Sequence, residues 1–103
     1  MNVRFLLEAL LDVQYIAAWY DRQQPGLGDR FADAVEQFAA DRTTQPRLYG
    51  RVARAPAGRE VREGMLQGFL FRVAYEVTAT EVVILSVVHA RRRTAAWRQR
   101  LGP

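Results

Sequence analysis

The chain predicts an α+β fold of order β-α-α-β-β-β-(α). A helical hairpin packs on one face of a small, curved, mostly antiparallel sheet. Three observations lead there. Residues 8–42 carry apolar side chains at helical spacing on either side of a Pro25-Gly26 break. Residues 61–90 alternate at period two or run apolar and β-branched. An irregular stretch, 43–60, separates the two regions. The 103 residues make a single domain, 1–103.

Residues 2–7 read as a short strand, with Val3, Phe5 and Leu7 on one face. A helix follows from residue 8, where Glu8 suits the positive end of the helix dipole. Val13, Ile16, Ala17 and Tyr20 form its stripe, and Leu11, Tyr15, Ala18 and Trp19 add a second apolar face. A helix this apolar is covered on more than one side. The second helix runs from Leu27 to Arg42, with Phe31, Ala34, Val35, Phe38 and Ala39 as a regular stripe. Two helices with so short a break form an antiparallel hairpin. The 43–60 stretch holds two prolines, two glycines and four arginines and reads as a long loop. Three strands follow over 61–90: one from Val61 to Leu66, one from Gly68 through Val77, and one from Val82 to Val88. The last is apolar enough to be covered on both faces. The opposite sheet face is expected to be open at least in part. Thr94 is placed to cap a short C-terminal helix or tail, 94–101.

Composition narrows the function. Half the residues are hydrophobic and a quarter charged, which excludes a disordered chain. No cysteine is present and His89 is the one histidine, so disulfides, thiolate chemistry and multi-histidine metal sites are excluded. No metal or cofactor is expected. No apolar run approaches the roughly 20 residues of a membrane span, and the first residues lack a signal-like apolar region. A soluble, cytoplasmic protein is expected. All fifteen basic residues are arginines. Residues 1–50 carry a net charge of −2 and residues 51–103 a net charge of +6. That asymmetry points to an anionic partner for the second half. No P-loop, Rossmann fingerprint or RNP-like aromatic motif is present, and no acid–base carboxylate dyad stands out.

Four segments together carry a family resemblance. They are Val3-Arg4-Phe5 with Glu8-Ala9-Leu10-Leu11-Asp12-Val13, the turn Gln45-Pro46-Arg47-Leu48-Tyr49-Gly50, the strand Phe71-Arg72-Val73-Ala74-Tyr75-Glu76-Val77, and the end Val82 to Val88 followed by His89-Ala90-Arg91-Arg92. In that order and spacing the chain resembles the ParE/RelE superfamily of toxins from bacterial toxin–antitoxin operons, which include plasmid stabilisation proteins. The resemblance implies one of two activities. ParE-like toxins inhibit DNA gyrase by binding. RelE-like toxins are ribosome-dependent mRNA interferases, cleaving mRNA in the ribosomal A site. Both are neutralised by a cognate antitoxin, through which alone the pair contacts operator DNA. No membrane partner is implied.

The residues discriminate between the two. An RNA-cleaving member needs an acid/base pair and fixed cations. By resemblance, Arg72 and Arg91 match the family's arginines, and Arg62 is a counterpart of a basic residue on the preceding strand. His89 is the one ready proton carrier, with strand termination and a backbone hydrogen bond as its bland alternative. Arg72 has an equally simple alternative, cross-strand pairing with Glu63 or Glu76. Trp97 stands where a nuclease would offer a tyrosine, and an indole N–H is no acid or base near neutral pH. Glu60 stands where a further lysine is expected, and arginine is a poor general base. The balance favours a binding inhibitor of gyrase with no catalytic residues. Arg62, Arg72, His89 and Arg91 to Arg93 then form one target- or anion-binding surface. In the nuclease alternative His89, Arg72 and Arg91 are catalytic. Tyr15, Trp19 and Tyr20 read first as core. Tyr15, Trp19 and Trp97 are nevertheless the candidates for receiving an antitoxin segment.

Overall fold

The structure, a computed structural model, describes residues 1–103. The elements are β1 (Asn2–Phe5), α1 (Leu7–Gln23), α2 (Leu27–Arg42), β2 (Glu60–Met65), β3 (Phe71–Val77), β4 (Glu81–His89) and α3 (Ala96–Arg100). The sheet order is β1-β4-β3-β2. β1 runs parallel to β4, and the other neighbours are antiparallel. No helix is long and apolar enough to cross a membrane.

β1 ends earlier than the alternation of apolar residues predicts. Leu6 is extended and still donates its N–H to the Ile84 carbonyl at 3.1 Å. Leu7 then opens α1, and its side chain is exposed instead of sharing the face of Val3 and Phe5. At the hairpin turn Asp21 accepts the backbone N–H groups of Gly26 (3.2 Å) and Gly28 (2.8 Å) on Oδ1. A carboxylate thus sits at the start of α2, where unpaired N–H groups and the helix dipole favour an anion. Gly26 takes φ +90°, and a Cβ on Gly28 would collide with the Ala17 carbonyl and Asp21. Both glycines are therefore required by the turn.

The hairpin buries its stripe on the sheet. Phe31, Val35, Phe38 and Ala39 of α2 meet Val73, Tyr75, Val82 and Ile84 in the main core, with Val13, Ile16, Ala17 and Tyr20 of α1 packed alongside. Tyr20 joins Phe31, Phe69 and Phe71 in edge-on and tilted ring contacts at centroid distances of 5.3–6.2 Å. Burial pushes its phenol pKa up. Gly68 does not start β3. It takes φ +84° in the turn after β2, and the strand begins at Phe71.

The far side of the sheet, expected to be open at least in part, holds a second core and leaves Met65 at its edge exposed. Val61, Ala74, Val83, Leu85 and Trp97 are buried together there. Val52 and Ala55 of the 43–60 loop and Ala95 and Leu101 of the C-terminal segment pack over them. This burial, not a cap, holds α3. Its N-cap position is Ala95, and no side chain caps it, contrary to the role expected of Thr94. The loop also lies along the outer edge of β2. Val52 N–H donates to the Val61 carbonyl at 2.9 Å and Glu63 N–H to the Gly50 carbonyl at 3.3 Å. An otherwise unpaired strand edge is thereby covered.

One irregularity positions the site. Between β3 and β4, Ala74 faces Ser86 and Tyr75 faces Ile84, leaving Leu85 as the extra residue of a bulge. The bulge changes the parity of β4. Val82 and Ile84 face the hairpin before it, and Val87 and His89 face the hairpin after it.

Candidate functional site

A groove of about 340 Å³ opens between α1 and the end of β4. Tyr15, Ile16 and Trp19 form its helical wall, and Val87, His89 and Arg92 its opposite side. Tyr15 is 75% exposed and Trp19 46% exposed, so the expectation that both belong to the core is corrected. Only Tyr20 of that set is in the core. The geometry is helical: residues 16, 17 and 20 face the sheet, which turns 15 and 19 toward the rim. Trp97 departs from its expected role in the opposite sense. It is 4% exposed in the second core, so its ring is unavailable to a partner in this conformation.

At the floor of the groove the bulge leaves two edge groups of β4 pointing where β1 has already ended. Asp12 of α1 accepts the Val87 N–H on Oδ2 at 3.0 Å. Arg100 of α3 donates from Nη1 to the Leu85 carbonyl at 3.0 Å and to Asp12 Oδ2 at 2.7 Å, with Nη2 reaching Asp12 Oδ1 at 3.1 Å. Hydrogen bonding to Asp12 raises the Arg100 pKa further above its ordinary value. Asp12 belongs to the first segment that carries the family resemblance, but no local pattern marks its pairing with a residue so far away in the chain.

His89 faces Phe71 across the strands and meets its ring edge-on at 5.2 Å. Its Nδ1 accepts the Arg91 backbone N–H at 3.1 Å. This is the strand-terminating alternative considered for it.

The structure does not gather the expected arginines onto one surface. Arg62 lies opposite Tyr75 and so on the hairpin side of the sheet. Arg72 shares the other side with Glu63 and Ala74. Arg62 is bound by Glu60 at 2.7 Å and donates to the Tyr49 carbonyl at 2.7 Å, with its side chain only 14% exposed. Arg47 holds the same Glu60 through two bonds of 3.0 Å. Burial pushes the Glu60 carboxyl pKa up, but the hydrogen bonds and charges of Arg62 and Arg47 outweigh it and hold the carboxyl below its usual range. Of the two carboxylates considered for Arg72, the structure selects Glu63 at 3.8 Å, and Arg72 also donates to the Arg92 carbonyl. Glu76 is taken by Arg59. Arg91, Arg92 and Arg93 are exposed beyond β4 and have no ion-pair partner. Among the arginines expected at the site, the open ones are therefore this triplet, with Arg92 and His89 at the groove and Arg62 and Arg72 already engaged.

Comparison with known proteins gives a family. The sequence model described as the ParE toxin of type II toxin–antitoxin system, parDE, matches residues 3–94. Among solved structures the chain is similar to one described as the chromosomal ParDE TA system from P. aeruginosa. Identity is 19%, the TM-score is 0.64, and the match covers 88% of this chain and 97% of that one. At that identity the likeness concerns the fold. No curated protein matches the chain.

Proposed function

The chain belongs to the ParE toxin family of type II toxin–antitoxin systems, and on that premise we propose that it inhibits DNA gyrase by binding and is silenced by a cognate antitoxin. The observation that carries a binding mode is the state of the arginines. Arg62 and Arg72, which an mRNA-cleaving relative would aim at phosphate, are turned to Glu60 and Glu63 on opposite sides of the sheet. Phosphoryl chemistry needs its cations converging on one point. Arg91 to Arg93 instead offer an exposed, mobile-stemmed positive patch, which suits steering and docking onto an acidic surface.

Antitoxin recognition is assigned to the α1 side of the groove. Tyr15 and Trp19, with Leu11 also exposed, offer apolar anchors on one helix wall. A partner helix or strand laid there would bury them beside Arg92 and His89. Its position would cover the same end of the molecule that carries the arginine triplet, so silencing follows from occlusion. Both events take place in the cytoplasm, and operator DNA is met through the antitoxin.

The deciding experiment uses the purified chain in two assays. Gyrase supercoiling should be blocked, with mRNA on programmed ribosomes left intact, and added antitoxin should restore supercoiling. Cleavage of A-site mRNA with gyrase unaffected would overturn the proposal.

A further inference from the structure

Arg42 ends α2 and is only 3% exposed, yet no carboxylate pairs with it. The ion pairs of the molecule all use other arginines. Its Nε and Nη1 are buried without any hydrogen-bond partner. Aromatic rings hold it instead. Cζ lies 4.4 Å from the Phe38 centroid and 4.8 Å from that of Tyr49, and the two rings stack at 5.5 Å. Cation–π contact offsets part of the desolvation but satisfies none of the N–H donors. Arg42, Phe38 and Tyr49 also wall a second pocket, of about 280 Å³, with Met65, Leu66 and Gln67 across from them. It shares no residue with the α1 groove.

We infer that this pocket is a carboxylate-binding site anchored by the Arg42 guanidinium. The cation is single and buried, so a monoanion neutralises it, whereas a phosphate dianion leaves charge uncompensated. A carboxylate entering the pocket meets the guanidinium at Nη2, the nitrogen that is not sealed off, and accepts a charge-assisted hydrogen bond there. Phe38, Tyr49, Met65 and Leu66 give the wall an apolar part beside the polar Gln37, Asp41 and Gln67, which suits a carboxylate on a short apolar stem. Asp41 stands at the rim and does not cancel the site. It is exposed, with Oδ1 accepting from Gln37 at 2.9 Å. Water screens an exposed charge far more than a buried one. A free organic acid and a glutamate side chain of a bound polypeptide share this chemistry. The inference does not depend on gyrase or on the antitoxin.

Nitrogen-15 NMR of the intact chain tests it, with propionate, acetyl-Leu-Glu-Leu-amide, inorganic phosphate and sodium chloride as probes at equal ionic strength. Propionate should move the Arg42 Nε–H signal and the Leu66 and Gln67 amides in a saturable way, with phosphate weaker and chloride without effect. Tighter binding of the peptide assigns the site to a polypeptide carboxylate, and tighter binding of propionate to a small acid. Arg42→Lys keeps the charge and loses the flat group positioned by the Phe38 and Tyr49 rings, so affinity should fall about tenfold or more. Arg42→Met should abolish the shifts and keep or raise the unfolding midpoint, because it removes unpaired buried donors. The inference is overturned if the wild-type signals do not saturate, if chloride moves them equally, or if the shifts persist in Arg42→Met. Should Arg42→Met fail to fold, the wild-type titrations and Arg42→Lys still decide.

Discussion

Asp12 and Arg100, 88 residues apart in sequence, meet at 2.7 Å and together satisfy the two edge groups that the β4 bulge leaves without a strand. The pair stands in for the part of β1 that is missing beyond Phe5. It also ties the C-terminal helix to α1 and so fixes one end of the groove.

Asp12→Ala should therefore cost stability beyond a surface ion pair. It leaves the Val87 N–H unpaired and the Arg100 guanidinium only partly satisfied. The pair is 20% exposed on each side, which discounts its electrostatic share. A loss of about 2 kcal/mol is expected. Urea unfolding measures it, and a double-mutant cycle with Arg100→Ala should show positive coupling between the two sites. Additive losses would mean that the pair contributes nothing as a unit.

Trp97 and Tyr15 should separate stability from binding. Trp97→Ala opens a cavity in the second core and should cost about 3 kcal/mol or more. Tyr15→Ser changes a largely exposed ring and should stay within about 0.5 kcal/mol of the parent. Antitoxin affinity should show the reverse order, with Tyr15→Ser weakening it about tenfold. Calorimetric titration against the antitoxin, at a temperature where both variants are folded, makes the comparison.

The arginine triplet and His89 should also part company. Replacing Arg91, Arg92 and Arg93 together with serine should raise the toxin concentration needed to block gyrase by about tenfold, with a shallower salt dependence. His89→Asn should leave inhibition close to the parent, because the ring packs on Phe71 and closes a local turn. Complete loss of activity in His89→Asn, with the fold intact by circular dichroism, would instead mark it as a proton carrier.

Glu60 makes a pH dependence visible. Its pKa in the folded state lies below the ordinary 4.5. A depressed carboxylate contributes stability in full above its unfolded value and loses it as pH falls through the folded one. The stability gap between the parent and Glu60→Gln should thus be constant at neutral pH and shrink as pH falls below about 4.5. Chemical denaturation at a series of pH values gives the curve.

Element order, the helical hairpin and all four strands were legible because they rest on short-range periodicity. Phe31, Val35 and Phe38 repeat at helical spacing, and Phe71, Val73 and Tyr75 alternate, whatever lies elsewhere in the chain. The burial of Arg42 was legible in principle, since it continues the stripe one turn beyond Phe38. A charged residue nevertheless reads as the boundary of an apolar stripe, so the pattern ends at Ala39. The bulge at Leu85 left no mark in a strand that is apolar on both faces, where a shift of one residue exchanges like for like.

The sequence by itself determined the hairpin, the β-rich second half, the family and the concentration of arginines after residue 50. Tertiary structure alone decided which arginines remain open. A cation's role depends on which carboxylate or ring reaches it across the sheet, and those partners are set by strand register and loop path. Glu60 and Glu63 engage Arg62 and Arg72, two aromatic rings enclose Arg42, and the triplet beyond β4 stays exposed because no carboxylate reaches it.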